Sequence, residues 1–256
     1  PIEVLKSVDL IAAEDTRHSQ RLLQFFAIDT PTTAYHDHSD ERALHRIGSC
    51  LAGGGSVALV SDAGTPLISD PGYRLVLAAR EQGFAVVPIP GACAAIAALS
   101  VAGLPTDKFR FIGFLPAKSS QRIKSFEQLK GVDETMVFYE APHRILECLK
   151  DAIAVFGGAH IGFIAREITK TFETYLYGTL AELLVKVETD SNQQRGEIVL
   201  VLGASEITTT ATSVDDERLL RLLLTELPAA KAAALAAKIT GGDKKQFYQM
   251  ALAQKG

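Results

Sequence analysis

The sequence predicts an α/β fold followed by a small helical domain, and three observations carry that prediction. From Leu10 to about Leu202, short β-branched runs alternate with amphipathic segments, as strands buried between helices do. The loops leaving those runs repeatedly hold Gly, Pro and charged residues, and strand ends are where open α/β sheets bind ligands. Past Leu202 the composition turns polar and Thr-rich through ASEITTTATSVDD (204–216), as a linker or domain boundary does, and three helical patterns follow.

Taken in order, LIAA (10–13) is the first strand. DTRHSQRLLQFF (15–26) puts Leu22, Leu23, Phe25 and Phe26 near one helical face, with Asp15 as its N-cap. SVALVS (56–61) is the next strand, and PGYRLVLAAREQG (71–83) opens on Pro and closes on Gly, as helices do, with SDPG (69–72) as its start. FAVVPI (84–89) predicts a third strand. It runs into PIPGACAAIAALSVAGLP (88–105), a small-residue helix whose first turn leaves the N–H groups of Gly91, Ala92 and Cys93 free. FLPAKSSQRIKSF (114–126) is an inter-domain passage. TMVFYE (135–140), HIGFIAR (160–166), ETYLYG (173–178) and GEIVLVL (196–202) are further strands, and HRILECLKDAIAVFGG (143–158) is a helix stopped by two glycines. DERLLRLLLTEL (216–227), AAKAAALAAKIT (229–240) and DKKQFYQMALAQ (243–254) form a bundle of helix-turn-helix type, broken at Pro228 and at Gly241-Gly242.

Composition narrows the function classes. The chain has 256 residues, 47% hydrophobic and 22% charged, enough for two compact domains and an appendage, and it is not a disordered chain. No apolar run reaches a membrane span and no signal-peptide pattern opens the sequence, so the expected location is cytoplasmic. Cys50, Cys93 and Cys148 are odd in number and lack ligand spacing, which argues against a disulfide framework or a zinc site; no metal is expected. A formal net charge of −4 gives no global sign of a nucleic-acid partner. From Ser213 onward seven Lys/Arg stand against five Asp/Glu, a surplus that fits RNA binding and a structural or dimerisation element about equally.

Several loops are candidate sites. In SDAGTP (61–66), Gly64 permits close backbone approach and Asp62 offers a carboxylate; the loop is either ligand-facing or a rigid turn with a capping Asp. Neither a Walker loop nor GxGxxG is present. The helix start at Gly91–Cys93 either admits a ligand or packs an Ala-rich helix on a sheet. AAEDTRHS (12–19), FYEAPHR (138–144) and AREITKTFET (165–174) each place charges after a strand; convergence on one cleft explains them better than surface ion pairs, which contribute little stability.

These motifs, with FIGFLPAK and RGEIVLVL, resemble in this order the bacterial ribosomal small-subunit RNA methyltransferase I family, within the tetrapyrrole-methylase-like class. The resemblance runs from Ile2 to Leu202, and GDKKQFYQMAL is similar to that family's C-terminal helical domain. It implies two α/β domains of the tetrapyrrole methylase type with a cofactor cleft between them, at about 1–115 and 116–205, and a helical domain at 213–256. It also implies a homodimer that uses S-adenosylmethionine to methylate the 2′-oxygen of a cytidine in the decoding region of small-subunit ribosomal RNA, free or in the assembled subunit. The same resemblance puts the cofactor's amino-acid end and ribose at Ser61, Asp62, Ala63, Gly64 and Thr65, with Gly91, Ala92 and Cys93 beside them. Its adenine would lie near Tyr139, Gly196 and Glu197.

A ribose hydroxyl needs polarisation or a base before it attacks, and Lys170 and Glu14 are the catalytic candidates, with Glu167 or Asp15 as partners. A lysine base requires a depressed pKa, from burial or a cationic neighbour such as Arg166. Arg17, His36, His38, Arg144 and Arg166 are candidate phosphate contacts. The family opens with a strand and a T-P-I-G-N-L-type loop, whereas this sequence starts at PIEVLKSVD, so the first sheet is expected to lack a strand and the cleft a wall. Two alternatives are a small-molecule (tetrapyrrole) methyltransferase, disfavoured by EDTR, REITK and the helical tail, and a non-catalytic RNA-binding assembly factor.

Overall fold

The computed structural model describes residues 1–36, 41–204 and 214–253. The chain divides into two compact units, Pro1–Ser205 and Glu206–Gly256. The first unit contains two sheets. Its elements are α1 (Ile2–Ser7), β1 (Leu10–Ala13), α2 (Thr16–Phe25), β2 (Thr32–Ala34), α3 (Glu41–Ala52), β3 (Val57–Val60), α4 (Tyr73–Glu81) and α5 (Ala94–Val101). They continue as β4 (Phe109–Phe114), α6 (Ser119–Leu129), β5 (Thr135–Glu140), a 3-10 turn (Pro142–Arg144), α7 (Ile145–Phe156), β6 (Ile161–Arg166), β7 (Thr174–Thr179), α8 (Leu180–Thr189), a second 3-10 turn (Ser191–Gln194) and β8 (Ile198–Leu202).

The first sheet is parallel, in the order β2-β1-β3, and β1 at its centre is buried along its whole length. The second has the order β4-β5-β8-β6-β7; β4 and β5 run parallel and the other neighbours antiparallel. Alternation along β5 explains its double burial. Met136 and Phe138 join Ile164, Leu200 and the inner faces of α6, α7 and α8. Val137 and Tyr139 face the other way, onto α5, whose Ala95 and Ala98, with the following Ala102, are small enough to let its backbone lie close to Phe163, Val199 and Val201 beside Leu99. Under α6 and α7, buried Arg122 pairs with Asp151 at 2.7 Å, and Ser119 Oγ donates to the other carboxylate oxygen at 2.8 Å.

Three expectations need correction. FAVVPI (84–89) is not a strand: among the described residues no ladder partner pairs it, and Val87 and Ile89 are 71% and 46% exposed. β-branched propensity is realised only against a neighbouring strand. The stretch 114–126 is not a passage, since Phe114 ends β4 and Ser119 starts α6. The second sheet therefore begins at Phe109, ahead of the boundary expected near 115.

The second unit consists of α9 (Val214–Glu226), α10 (Ala229–Thr240) and α11 (Lys244–Ala253), packed on Leu220, Ala232, Ala233, Ala236, Phe247 and Ala251. Gly241 ends α10 in the left-handed region at φ 74°, as the double glycine predicts. The Thr-rich linker from 205 to 213 lies outside the described residues. Among the described residues no helix is long and apolar enough to cross a membrane, and no group of His, Cys, Asp or Glu could hold a metal ion.

Candidate functional site

Strand order builds the first part of the site. β1 and β3 are parallel neighbours, so their carboxyl ends lie side by side and the residues that follow each strand meet. The Asp62 N–H donates to Glu14 Oε2 at 3.3 Å, and the Asp15 N–H donates to Asp62 Oδ1 at 3.2 Å. Ser61 Oγ donates to Ala63 O at 3.3 Å within the same loop. Thr65 Oγ1 donates to Ala92 O at 2.8 Å and ties this loop to the turn before α5. Gly64 sits at φ 80°, and a Cβ there would meet only Ala92 O, at 4.0 Å. A Cβ on Gly91 would meet only Ile89 O, at 3.9 Å, so both backbones face open space that a ligand can approach closely.

The first turn of α5, capped by half-buried Cys93, continues this seam to the second sheet. The Ala95 N–H donates to the Tyr139 hydroxyl at 3.3 Å, and Tyr139 stands edge-on to Phe111 and Phe114 with ring centroids 5.0 and 5.7 Å away. Burial pushes the Tyr139 pKa up to about 12, which keeps it a neutral hydroxyl. Cys93, Tyr139 and Ile168 all pack against one apolar cluster, so the REITK loop borders the seam as well.

A carboxylate outside the expected set stands in the same place. Leu67 and Ser69 adopt φ 72° and 64°, and a Cβ on Gly113 of β4 would come 3.1 Å from Ser69 Oγ, so this strained loop presses on the second sheet. Asp70, held between them, buries Oδ2 without a hydrogen-bond partner. Burial raises its pKa, and the Glu14 and Asp62 carboxylates push the same way against a bond from Ser61. SDPG does precede α4, but Asp70 is also part of the seam. Its signal in the sequence is the second Ser-Asp pair of SDAGTPLISDPG.

The third part lies where β6 ends and β8 begins. Arg166 and Glu140 flank Ile198 in the ladder, so the ends of β5 and β6 and the start of β8 share one edge of the sheet. Glu167, at φ 53°, accepts from the Glu197 N–H at 2.9 Å and from Lys170 Nζ at 2.8 Å. Lys170 also pairs with Glu197 Oε2 at 3.2 Å. Gly196 is required here, since it holds φ 80° and a Cβ would collide with the Glu167 carboxyl. The bond to Glu167 comes first among the causes that raise the Lys170 pKa, and those from Lys170 and Glu197 lower that of Glu167. Lys170 is therefore held charged, the opposite of what a lysine base requires, and Arg166 does not lower it.

The phosphate candidates divide. Arg17 is exposed but pairs with Asp15 at 3.0 Å, holding the Asp15 pKa down to about 2. His36 is exposed just beyond β2, and His38 lies outside the described residues. Arg144 is turned inward, donating to Leu115 O at 2.6 Å and pairing with buried Glu140 at 2.9 Å. Arg166 is 6% exposed and donates to Phe172 O at 2.8 Å and Thr174 Oγ1 at 3.0 Å. Both arginines therefore spend donors on the fold itself, Arg144 through Nη2 and Arg166 through both Nη atoms.

Comparison with known proteins places this geometry. Residues 2–184 match the family described as Tetrapyrrole (Corrin/Porphyrin) Methylases, and residues 210–255 match the RsmI C-terminal HTH domain. The chain is 53% identical to the ribosomal RNA small subunit methyltransferase I of Pseudomonas aeruginosa, covering 100% of this chain and 91% of that one. It is 49% identical to the protein of that name from Escherichia coli O157:H7, over 100% and 89%. Among solved structures, the uroporphyrin-III-C-methyltransferase of Thermus thermophilus shares the fold at TM-score 0.54 and 18% identity, over 80% of this chain and 86% of that one. That enzyme has also been solved complexed with S-adenyl homocysteine, at TM-score 0.50 and 16% identity over 79% and 88%.

Proposed function

Because the chain belongs to the tetrapyrrole methylases, and along its whole length to the ribosomal RNA small subunit methyltransferase I group among them, we propose that it transfers a methyl group from S-adenosylmethionine to the 2′-hydroxyl of a cytidine ribose in the decoding region of small-subunit ribosomal RNA, in the cytoplasm. The observation that carries the assignment to residues is the seam itself. Loops far apart in sequence, after β1, after β3 and before α5, are joined by hydrogen bonds and then linked to Tyr139.

The residues present fit the cofactor. Asp62 offers a carboxylate to ribose hydroxyls, and the open space at Gly64 and Gly91 would let its amino-acid end reach the N–H groups of Ala63, Gly64, Thr65, Gly91, Ala92 and Cys93. Tyr139, Gly196 and Glu197 take the adenine side. When bound, S-adenosylmethionine supplies an electrophilic methyl group, and in-line positioning of the attacking oxygen accounts for much of the rate. Lys170, held charged by Glu167 and Glu197, steadies the negative charge growing on that oxygen, and Glu14 is the carboxylate that takes its proton. The helical unit contacts RNA, and the exposed apolar side chains Ile96 and Val101 on α5 support the homodimer.

Labelled S-adenosylmethionine with small subunits that lack the modification tests this reading. Transfer is expected, falling by about 100-fold or more in Lys170→Ala. Transfer to a tetrapyrrole instead would sink the RNA assignment, and binding to subunits without transfer would make the protein an assembly factor.

A further inference from the structure

A cavity of about 550 Å³ opens on the second sheet, between the β6–β7 loop and the 3-10 turn that precedes β8. It is within the range that holds small ligands. Glu167 and Gly196 lie in its wall, so it adjoins the Lys170 cluster without including Asp62, the Gly91 turn or Tyr139. The seam described above does not use the rest of its lining.

Three features of that lining limit what fits. Phe172, on the rim, leaves 71% of its surface exposed, an uncovered aromatic face beside a polar hollow. The wall also carries an exposed amide, that of Asn192, whereas Arg166 Nε and Gln193 Oε1 are buried beneath it and closed to a guest. Besides Glu167, the other two carboxylates in the wall are committed. Asp190 accepts from the Asn192 N–H at 3.0 Å and Gln193 Nε2 at 2.9 Å, and Glu173 accepts from the Thr169 N–H at 2.6 Å.

The charge of the wall decides between the two parts of a nucleotide. Glu167, Glu173 and Asp190 outnumber Arg166 and Arg195, so a phosphate would meet more negative than positive charge. A flat, uncharged ring with a donor beside an acceptor has no such penalty, and an aromatic face is what an unstacked base lies on. We propose that this cavity receives one unpaired nucleobase of the RNA substrate, stacked on Phe172, with its polar edge toward the exposed Asn192 amide. The proposal rests on the RNA-methyltransferase reading and adds to it a site for reading single-stranded sequence next to the methyl-transfer centre.

Phe172→Ala and Phe172→Tyr test it, because the side chain is exposed and neither change empties a core. Each full-length protein is assayed for methyl transfer to unmodified small subunits and for S-adenosylmethionine affinity by calorimetry. Phe172→Ala should raise KM for subunits by about 5- to 100-fold, the range of one lost stack, with cofactor affinity unchanged. Phe172→Tyr should restore most of the loss, and Asn192→Ala should raise KM in the same direction. An unchanged KM in Phe172→Ala, while the wild type turns over, would overturn the cavity's role and leave the reaction standing. A parallel loss of cofactor affinity would overturn it too, by making the cavity part of the cofactor pocket. No transfer by the wild type would defeat the underlying reading and the proposal with it.

Discussion

A carboxylate oxygen buried without a donor, as Asp70 Oδ2 is, opposes folding whenever the group is ionised. Its folded pKa is raised, so the native state binds this proton more tightly than the unfolded chain does. The penalty is therefore absent below the unfolded carboxylate value of about 4, grows as pH rises toward the folded value and is complete above it. Asp70→Asn is expected to raise the thermal midpoint at pH 7.5 by about 2–4 °C, on the order of 1 kcal/mol, and to lower methyl transfer. Melting curves from pH 7.5 to 4.5 check the sign, since the gain should shrink toward the acid end. Lys170 and Glu167 are legible in REITK as a charged pair whose mutual bond sets the direction of both pKa shifts, but the reinforcement from Glu197, thirty residues beyond Glu167 in the chain, is not. Arg144 and Arg166 look like any exposed arginine in the sequence until the fold turns them inward.

At the scale of elements, local chemistry is most readable where it is self-contained. α8 starts with a complete capping box: the Glu182 N–H donates to Thr179 Oγ1 at 3.2 Å, and the Thr179 N–H donates to Glu182 Oε2 at 2.9 Å. Thr179→Ala should lower unfolding free energy by about 1 kcal/mol. A urea titration with an unchanged slope and a lower midpoint would show it, and a shift within error would mean that packing of Leu180 and Leu183 alone holds the helix. The helices at 15–26, 71–83, 143–158 and the three tail patterns follow from periodicity with caps or breakers. β2 and β4 escape such reasoning for physical reasons: β2 has three residues, and β4 is an edge strand with exposed Phe109 and Phe114 and a register shift before Gly113. FAVVPI misleads in the opposite sense, having strand propensity and no strand to pair with.

For the whole molecule, the division into two units with separate cores makes a prediction of its own. Removing 206–256 should leave an α/β unit that melts cooperatively and binds S-adenosylmethionine as tightly as the full chain, while methylation of small subunits falls at least tenfold. Calorimetry with the cofactor and the subunit assay separate these effects; loss of cofactor affinity on truncation would tie the helical unit to the cofactor site. By itself the sequence determined the α/β class, the helical tail and the family, and it singled out the candidate loops, because these follow from periodicity, breakers and long ordered motifs. Only the tertiary structure decided which charges meet. Parallel pairing of β1 with β3 brings Glu14 and Asp15 to Asp62, the fold buries Asp70 beside Glu14 and Asp62, and pairing of β6 with β8 brings Glu197 to Glu167 and Lys170. Those outcomes depend on neighbours distant in sequence, and no local pattern encodes them.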